Sequence, residues 1–309
     1  MPESIEISLV IPVYNEQELI EQLFERTTGA LEKITPNFEI ICVNDGSTDN
    51  TLELLLACHQ KDNRFKVVEL SRNFGHQAAY TAGLSYAKGN FTVMMDGDLQ
   101  DPPEIIAEMY KKITTEELDV VFGSRTERKE GFLKRSLIKL FHKIFSRLSN
   151  INAPKNVGNF SIMNRSALNA FLKLGEKNRY LPGLRFFIGF KQGFIEYSRP
   201  DREVGDAKMN FTSLLTLALD AIYSFSKVPI KVCIIIGLLG IFFSVVGVVV
   251  VLVKKIMGEA ITGWTSIMLS IFFIGSVQLL FLGILGEYIH RIFIETQNRP
   301  IFIVRKYHE

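Results

Sequence analysis

Two aspartates one residue apart, Asp96 and Asp98, follow a short apolar run in the stretch VMMDGDLQDPPE. Carboxylates so spaced at the end of a buried strand can hold a hard divalent cation, Mg2+ or Mn2+, together with the oxygens of a diphosphate. A cation there would neutralise the charge that builds up as a diphosphate leaves. Gly97, between them, is expected to let the backbone bend so that both side chains meet one ligand. Asp101, ahead of Pro102 and Pro103, reads as a helix cap rather than a catalyst. A solvated acidic loop would have the same composition, so the neighbouring turns decide.

Those turns are set by a βαβα series. Apolar runs at Ile5–Val13, Phe38–Asn44, Phe65–Leu70, Phe91–Met95 and Val120–Phe122 predict strands. Helical periodicity predicts helices over Glu16–Ile34, Thr48–Gln60, His76–Ala87 and Pro103–Ile113. The alternation predicts an α/β domain, a mostly parallel sheet with helices on both faces, whose ligands bind at the carboxyl ends of the strands. Four polar turns fall at those ends: PVYNE, NDGSTD, SRNFGHQAA and DGDLQDPP. Each alone is an ordinary connection; in the second, Ser47 or Thr48 is expected to cap the following helix. Together on one rim they make a site.

The chain has 309 residues and a formal net charge of +2, so net charge implies no strongly charged partner and no nucleic acid. Its positive mean hydropathy is concentrated in two uncharged runs, Val232–Val253 and Ala260–Gly286, each long enough to span a membrane. A pair of buried core helices is the alternative reading. Lys227, Lys231, Arg291, Arg299, Arg305 and Lys306 outnumber Lys254 and Lys255 of the intervening loop, which predicts a multi-pass protein of the inner membrane with both termini cytoplasmic. The start of the chain shows no signal peptide. Cys42, Cys58 and Cys233 show neither pairing nor metal spacing. Glycines 237, 240, 247, 275, 283 and 286 allow close helix contacts, within a hairpin or between copies of the chain.

The four turns, in their order and spacing, resemble the inverting glycosyltransferases of family 2, with the GT-A nucleotide-sugar fold. The whole chain, through ILGEYIHRIF and the following RP, is similar to the polyprenyl-phosphate glycosyltransferases, including bactoprenol glucosyltransferases and, more distantly, dolichyl-phosphate mannose synthases. The resemblance implies a nucleotide diphosphate sugar as donor, a polyprenyl phosphate as acceptor and a divalent metal. It implies that Pro12, Tyr14, Glu16 and Asp45 line the base and ribose pocket, with Arg72 of the third turn among the nucleotide-binding residues. Asp96 would lie near ribose and diphosphate, and Asp98 would be the main metal ligand. The best expectation for the sugar is glucose from UDP-glucose, moved onto undecaprenyl phosphate for a cell-envelope polysaccharide, the product then crossing the membrane through another protein.

The middle of the chain concerns the acceptor. Residues 131–149 place Leu133, Leu137, Leu140, Phe141, Ile144 and Leu148 on one helical face and Arg135, Lys139, Lys143 and Arg147 on another, which predicts a basic helix in the membrane interface. A core-facing helix with a solvated basic face is the alternative. The resemblance puts Arg125, Arg128, Arg135, Arg202 and Lys208 on the acceptor phosphate, a role that suits the guanidinium fork. Ala207 stands where relatives often have Ser or Thr. Many relatives also have Asp-Phe-Arg where this chain has Asn159, Phe160 and Ser161. That aspartate is a proposed catalytic base, and asparagine cannot take a proton. A phosphate monoester is already ionised near neutral pH, its second pKa being about 6, and needs no base. Asn159 therefore favours a phosphate acceptor over a hydroxyl and reads as a positioning residue.

The expected organisation is a catalytic domain over 1–210, a juxtamembrane helix over 211–229, two spans within 230–290 and a tail over 291–309. A processive polysaccharide synthase is the second reading, but Trp264 is the only tryptophan and lacks a Gln-x-x-Arg-Trp context. A non-catalytic membrane scaffold on the same fold is the third, supported by Asn159 alone.

Overall fold

The computed structural model describes residues 4–125, 157–177, 179–198, 228–257 and 263–309. The described residues fall into two compact units. One holds residues 4–125, 157–198 and 300–309; the other holds 228–257 and 263–299.

The first unit is built on β1 (Ile7–Val13), β2 (Phe38–Asn44) and β3 (Phe65–Leu70), joined by α1 (Ile20–Glu32) and α2 (Thr51–Lys61). Then follow α3 (His76–Tyr86), β4 (Phe91–Met94), a 3-10 turn (Pro103–Ile105), α4 (Ile106–Thr115) and β5 (Val120–Arg125). Every residue of β1 and β2 is buried, as expected of strands covered on both faces. The helices cover the sheet with stripes at three- and four-residue spacing; α1 buries Ile20, Leu23, Thr27, Ala30 and Leu31. After β5 come β6 (Val157–Asn164), α5 (Arg165–Leu172), α6 (Leu181–Phe187) and β7 (Gln192–Tyr197).

Among the described residues the sheet has eight strands in the order β7-β5-β6-β4-β1-β2-β3-β8, where β8 is Val304–His308. The pairs β1/β2, β1/β4, β2/β3 and β5/β7 are parallel. β6 runs antiparallel between β4 and β5, and β8 runs antiparallel to β3. The mostly parallel α/β expectation holds. In the β1/β2 register Val13 lies opposite Asn44, so the first two polar turns leave the sheet side by side.

The reading of 291–309 as a tail missed β8. Its residues Arg305 and Lys306 are exposed, and charge on an edge strand looks like a solvated end. α1 begins at Ile20 rather than Glu16, and α2 at Thr51 rather than Thr48, because the preceding residues are tied into turns.

The second unit consists of α7 (Val228–Ile256) and α8 (Trp264–Thr296), of 29 and 33 residues. Within α8, Phe273–Thr296 is long and apolar enough to cross a membrane, the one such span among the described residues; α7 carries a shorter apolar stretch, Ile235–Gly247. Large apolar side chains stand exposed on both, including Phe243 at 66% and Leu279 at 70%. Pro229 sits in the first turn of α7, where its missing N–H costs nothing. The helix expected over 131–149 and residues 211–227 of the juxtamembrane segment lie outside the described residues.

Candidate active site

The first two polar turns are stitched together. The Asn15 amide donates to Ser47 Oγ at 3.1 Å, and Thr48 N donates to Asn15 Oδ1 at 2.9 Å. Glu16 N donates to Thr51 Oγ1 at 3.0 Å. Asn15 takes a left-handed φ of 52° to do this, a conformation asparagine tolerates better than most residues. Ser47 and Thr48 are therefore not helix caps: α2 starts after Asn50, and Asp49 Oδ1 accepts from Thr51 N.

Two glycines let the turns close on one another. Gly46 has φ 67°, and a Cβ there would lie 2.5 Å from the backbone carbon of Arg72. A Cβ on Gly97 would lie 2.9 Å from Val13 Cγ1 and 3.0 Å from the Pro12 carbonyl oxygen. Gly97 thus serves close approach to the first turn; its φ is not in the left-handed region, which corrects the expectation of a special bend.

The result is a pocket of about 410 Å³ lined by Pro12, Val13, Tyr14, Glu16, Asp45, Asn73, Gly75, His76, Ala79, Asp96, Gly97 and Asp98. Asp45 forms part of its wall and is buried. Its Oδ1 accepts from Phe74 N at 2.7 Å and its Oδ2 from Gly75 N at 2.9 Å, so it fixes the third turn. Burial raises its carboxyl above the usual range, only partly offset by those two amides and by His76 and Arg72.

Asp96 is the hub. Its Oδ1 accepts from Tyr80 Oη at 2.7 Å and from Asn159 Nδ2 at 3.4 Å, and lies 3.2 Å from His76 Nε2. Burial alone would raise its pKa; the bonds from His76, Tyr80 and Asn159 outweigh that and hold it well below the usual carboxylate range. Asp96 is therefore an anion at any physiological pH. Burial works against charge on His76, but Asp96, then Asp98 and Asp45, raise its pKa above the ordinary 6.5. Tyr80, fully buried beside Asp96, is held neutral as a donor.

Asp98 is half-buried on the same pocket, and its Oδ1 accepts from Gln100 N at 3.2 Å. Asp101 is fully buried and is not the cap that the sequence predicts. Tyr197 Oη donates to its Oδ1, and Arg125 Nη2 lies 3.5 Å from the same oxygen, while the 3-10 turn begins after Pro102 without a side-chain cap. Arg125 also donates from Nε to Tyr197 Oη at 3.3 Å.

The structure therefore brings Pro12, Tyr14, Glu16, Asp45, Asp96 and Asp98 together on one pocket, with Asn159 bonded to Asp96. Arg72 is not among the lining residues: it is exposed, its guanidinium 4.1 Å from the centroid of the Phe74 ring and its Nη1 donating to Asn73 O. Arg125 stands at the end of β5 against Asp101 and Tyr197. Arg128, Arg135, Arg202 and Lys208 lie outside the described residues. Sequence reasoning missed His76 and Tyr80; their spacing of four on α3, facing a carboxylate turn, was the available signal. It also missed Arg185, fully buried on α6. No group of three or more His, Cys, Asp or Glu among the described residues is arranged to hold a metal ion by itself.

A largely parallel sheet with an aspartate pair on the rim after β4 defines a GT-A-like glycosyltransferase fold. The sequence profile of Glycosyl transferase family 2 matches residues 8–172, and the chain belongs to that family and is a glycosyltransferase. It is 41% identical over 303 residues to an uncharacterized glycosyltransferase of Synechocystis, covering 97% of this chain and 95% of the relative. It is 36% identical over 307 residues to the SfII prophage-derived bactoprenol glucosyl transferase of Shigella flexneri, covering 98% and 99%. Among solved structures, glucosyl-3-phosphoglycerate synthase of Mycobacterium tuberculosis, in complex with Mn2+, UDP-glucose and phosphoglyceric acid, aligns with a TM-score of 0.50. That alignment has 17% identity and covers 70% of this chain and 77% of that one, a likeness of fold.

Proposed function

We propose that this protein moves a hexose, glucose from UDP-glucose, onto undecaprenyl phosphate with inversion at the anomeric carbon. The observation that carries the substrate class is the end-to-end similarity to bactoprenol glucosyl transferases, borne by a chain whose aspartate pair lines a pocket large enough for a nucleotide. In this reading Pro12, Tyr14, Glu16 and Asp45 line the base and ribose part of the pocket. Asp96 faces ribose and diphosphate. Arg125, with Arg128, Arg135, Arg202 and Lys208, draws in the acceptor phosphate.

A lipid-phosphate oxygen attacks the anomeric carbon. The bond from that carbon to the diphosphate breaks, and its electron pair leaves with UDP. No proton needs to be removed from a phosphate ionised near neutral pH, so Asn159 suffices where a hydroxyl acceptor would require a base. The donor set suits Mg2+ or Mn2+: two carboxylates, Asp98 and Asp96, would leave the remaining positions to diphosphate oxygens and water, the usual arrangement for a small hard cation. When bound, such an ion stabilises the negative charge of the leaving diphosphate. His76 adds a fixed donor on the same side of the pocket.

The same reading makes 1–210 the cytoplasmic catalytic domain, with juxtamembrane segments about 131–149 and 211–229, and makes α7 and α8 a two-span hairpin in the inner membrane. The pairing of β8 with β3 supports it. The chain leaves the sheet after β7 and rejoins it at β8, so the number of membrane crossings between them must be even. If α8 crosses, as its composition suits, a second crossing lies between β7 and β8, and in this reading α7, with its apolar stretch Ile235–Gly247, supplies it.

The test is transfer by membranes containing the protein, with undecaprenyl phosphate, Mn2+ or Mg2+ and a panel of labelled nucleotide sugars. The expected result is label from UDP-glucose alone in a mild-acid-labile lipid. Label from a different donor would correct the sugar; none from any donor, with nucleotide binding intact, would overturn the reading.

A further inference from the structure

We propose that Arg185 is a positioning residue of the active site: from α6 its guanidinium holds a bulge in β6 that aims Asn159 at Asp96. This rests on the glycosyl-transfer reading only in taking that pocket as the site of chemistry.

Arg185 is fully buried. Its Nη2 donates to Gly158 O at 2.7 Å and its Nη1 to Asn159 O at 2.6 Å; Nη1 also donates to Ser161 Oγ, and Nε to Leu181 O at 3.3 Å. The guanidinium lies 5.4 Å from the centroid of the Phe122 ring. All four of these acceptors are neutral. A buried charge whose hydrogen-bond partners are all neutral is costly; burial draws the Arg185 pKa down to about 10 against the pull of Tyr80 and Asp96, which still leaves it protonated at neutral pH. Nothing in the packing of a short helix against a strand requires such a group; a methionine or leucine would fill the space.

What does require it is the irregularity of β6. Ser161 pairs with Phe122 and Val157 with Ser124, with a register shift between Phe122 and Ser124. Gly158, Asn159 and Phe160 therefore stand opposite Gly123 alone. A bulged strand loses ladder bonds, and its carbonyls need other donors. Arg185 supplies them to two successive carbonyls, Gly158 and Asn159, with a planar fork that lysine cannot reproduce. Bulges beside active sites re-aim side chains, and this one turns Asn159 so that Nδ2 reaches Asp96 Oδ1. The Asn159 Oδ1 atom is buried with no hydrogen-bond partner among the described residues, so the amide is held in place through its Nδ2 bond to Asp96.

The test is a double-mutant cycle on the full chain in lipid nanodiscs: wild type, Arg185→Lys, Asn159→Ala and both together. Transfer, UDP affinity in Mn2+ and melting temperature are measured on each. The expected result is that Arg185→Lys remains folded and loses about tenfold in kcat/KM, the size seen for groups that orient a ligating shell. On the Asn159→Ala background the same change should cost less than about twofold, because coupled residues are not additive. Wild-type kcat/KM in Arg185→Lys, or losses that multiply in the double variant, would overturn the inference. If Arg185→Lys does not fold, Ser161→Ala removes one acceptor of the guanidinium and runs the same cycle with the same criteria. UDP affinity must show the same non-additive pattern whatever the acceptor. A wild type that binds UDP but transfers nothing to lipid phosphate would sink the functional reading, and the binding cycle would still decide the role of Arg185.

Discussion

Asp45 and Arg185 hold two sides of one site in opposite senses. Asp45 is a buried carboxyl group that accepts from two successive backbone N–H groups and so shapes the third turn. Arg185 is a buried cation that donates to two successive backbone carbonyls and so shapes the β6 bulge. Both act on backbone that regular secondary structure leaves without partners. The groups that face the pocket differ from both: Tyr14 is 40% exposed and the His76 side chain 46%. Asp96 joins the two kinds, 19% exposed yet bonded on one oxygen to Tyr80, His76 and Asn159. Buried groups fix the geometry, and on the proposed reading the half-exposed groups meet the ligand.

The largest effect should come from the ligand-facing class. On the proposed reading Asp98→Ala removes the principal carboxylate for the cation, and transfer should fall by a factor on the order of a thousand, the equivalent of several kcal/mol of charge stabilisation. The protein should melt at the wild-type temperature. Full activity at ordinary Mn2+ concentrations would reassign the metal ligand.

Asp45→Asn should show the reverse pattern. The amide nitrogen cannot accept, so one of the Phe74 and Gly75 amides loses its partner, at a cost of about 1–3 kcal/mol. Denaturant unfolding of the solubilised protein checks this, and an unchanged midpoint would show that the third turn holds itself.

His76 provides a pH signature. Its folded pKa is raised above the ordinary 6.5, so its contribution to stability is full below 6.5 and is lost as pH rises through the folded value. His76→Gln should remove that descent from the curve of melting temperature against pH while leaving the acid limb. The acid limb belongs to carboxylates such as Asp96, whose depressed pKa stabilises above the ordinary 3.8 and is lost as pH falls through the folded value. A wild-type curve flat from pH 6 to pH 9 would contradict the His76–Asp96 pairing.

The smallest effect is expected at the sheet edge. Arg305 reaches Glu69 at 3.1 Å, but its side chain is 72% exposed. Arg305→Ala should change stability by less than about 1 kcal/mol, as for exposed pairs generally. A larger loss would mean that β8 depends on this contact rather than on its ladder with β3.

The same contrast explains what the sequence disclosed. β1 to β4 are apolar runs that give way to the polar turns at Tyr14, Asn44, Ser71 and Asp96, and their strands and turns were legible because a doubly covered parallel strand leaves no other pattern. Asp96 and Asp98 were legible from their spacing read together with the three other polar turns on the same rim. β6 was not, because VGNFSIMN mixes Gly, Asn and Ser into a strand whose first half is bulged and held from outside by Arg185. β8 was not, because VRKYH at an edge looks like a solvated end. Asp101 followed by two prolines has the form of a cap, yet its burial against Tyr197 depends on β7, Tyr197 being 96 residues away. His76 was legible only through its spacing of four from Tyr80 on α3; that the Asp96 carboxylate meets both is set by the sheet, not by the local sequence.

The most direct test of the central claim is acceptor choice by the purified protein in nanodiscs, with labelled UDP-glucose, Mn2+ and either undecaprenyl phosphate or undecaprenol. The account predicts label in lipid with the phosphate only, one UDP released per glucose transferred. Label on the alcohol at a comparable rate would show that a general base operates despite Asn159, and would contradict it.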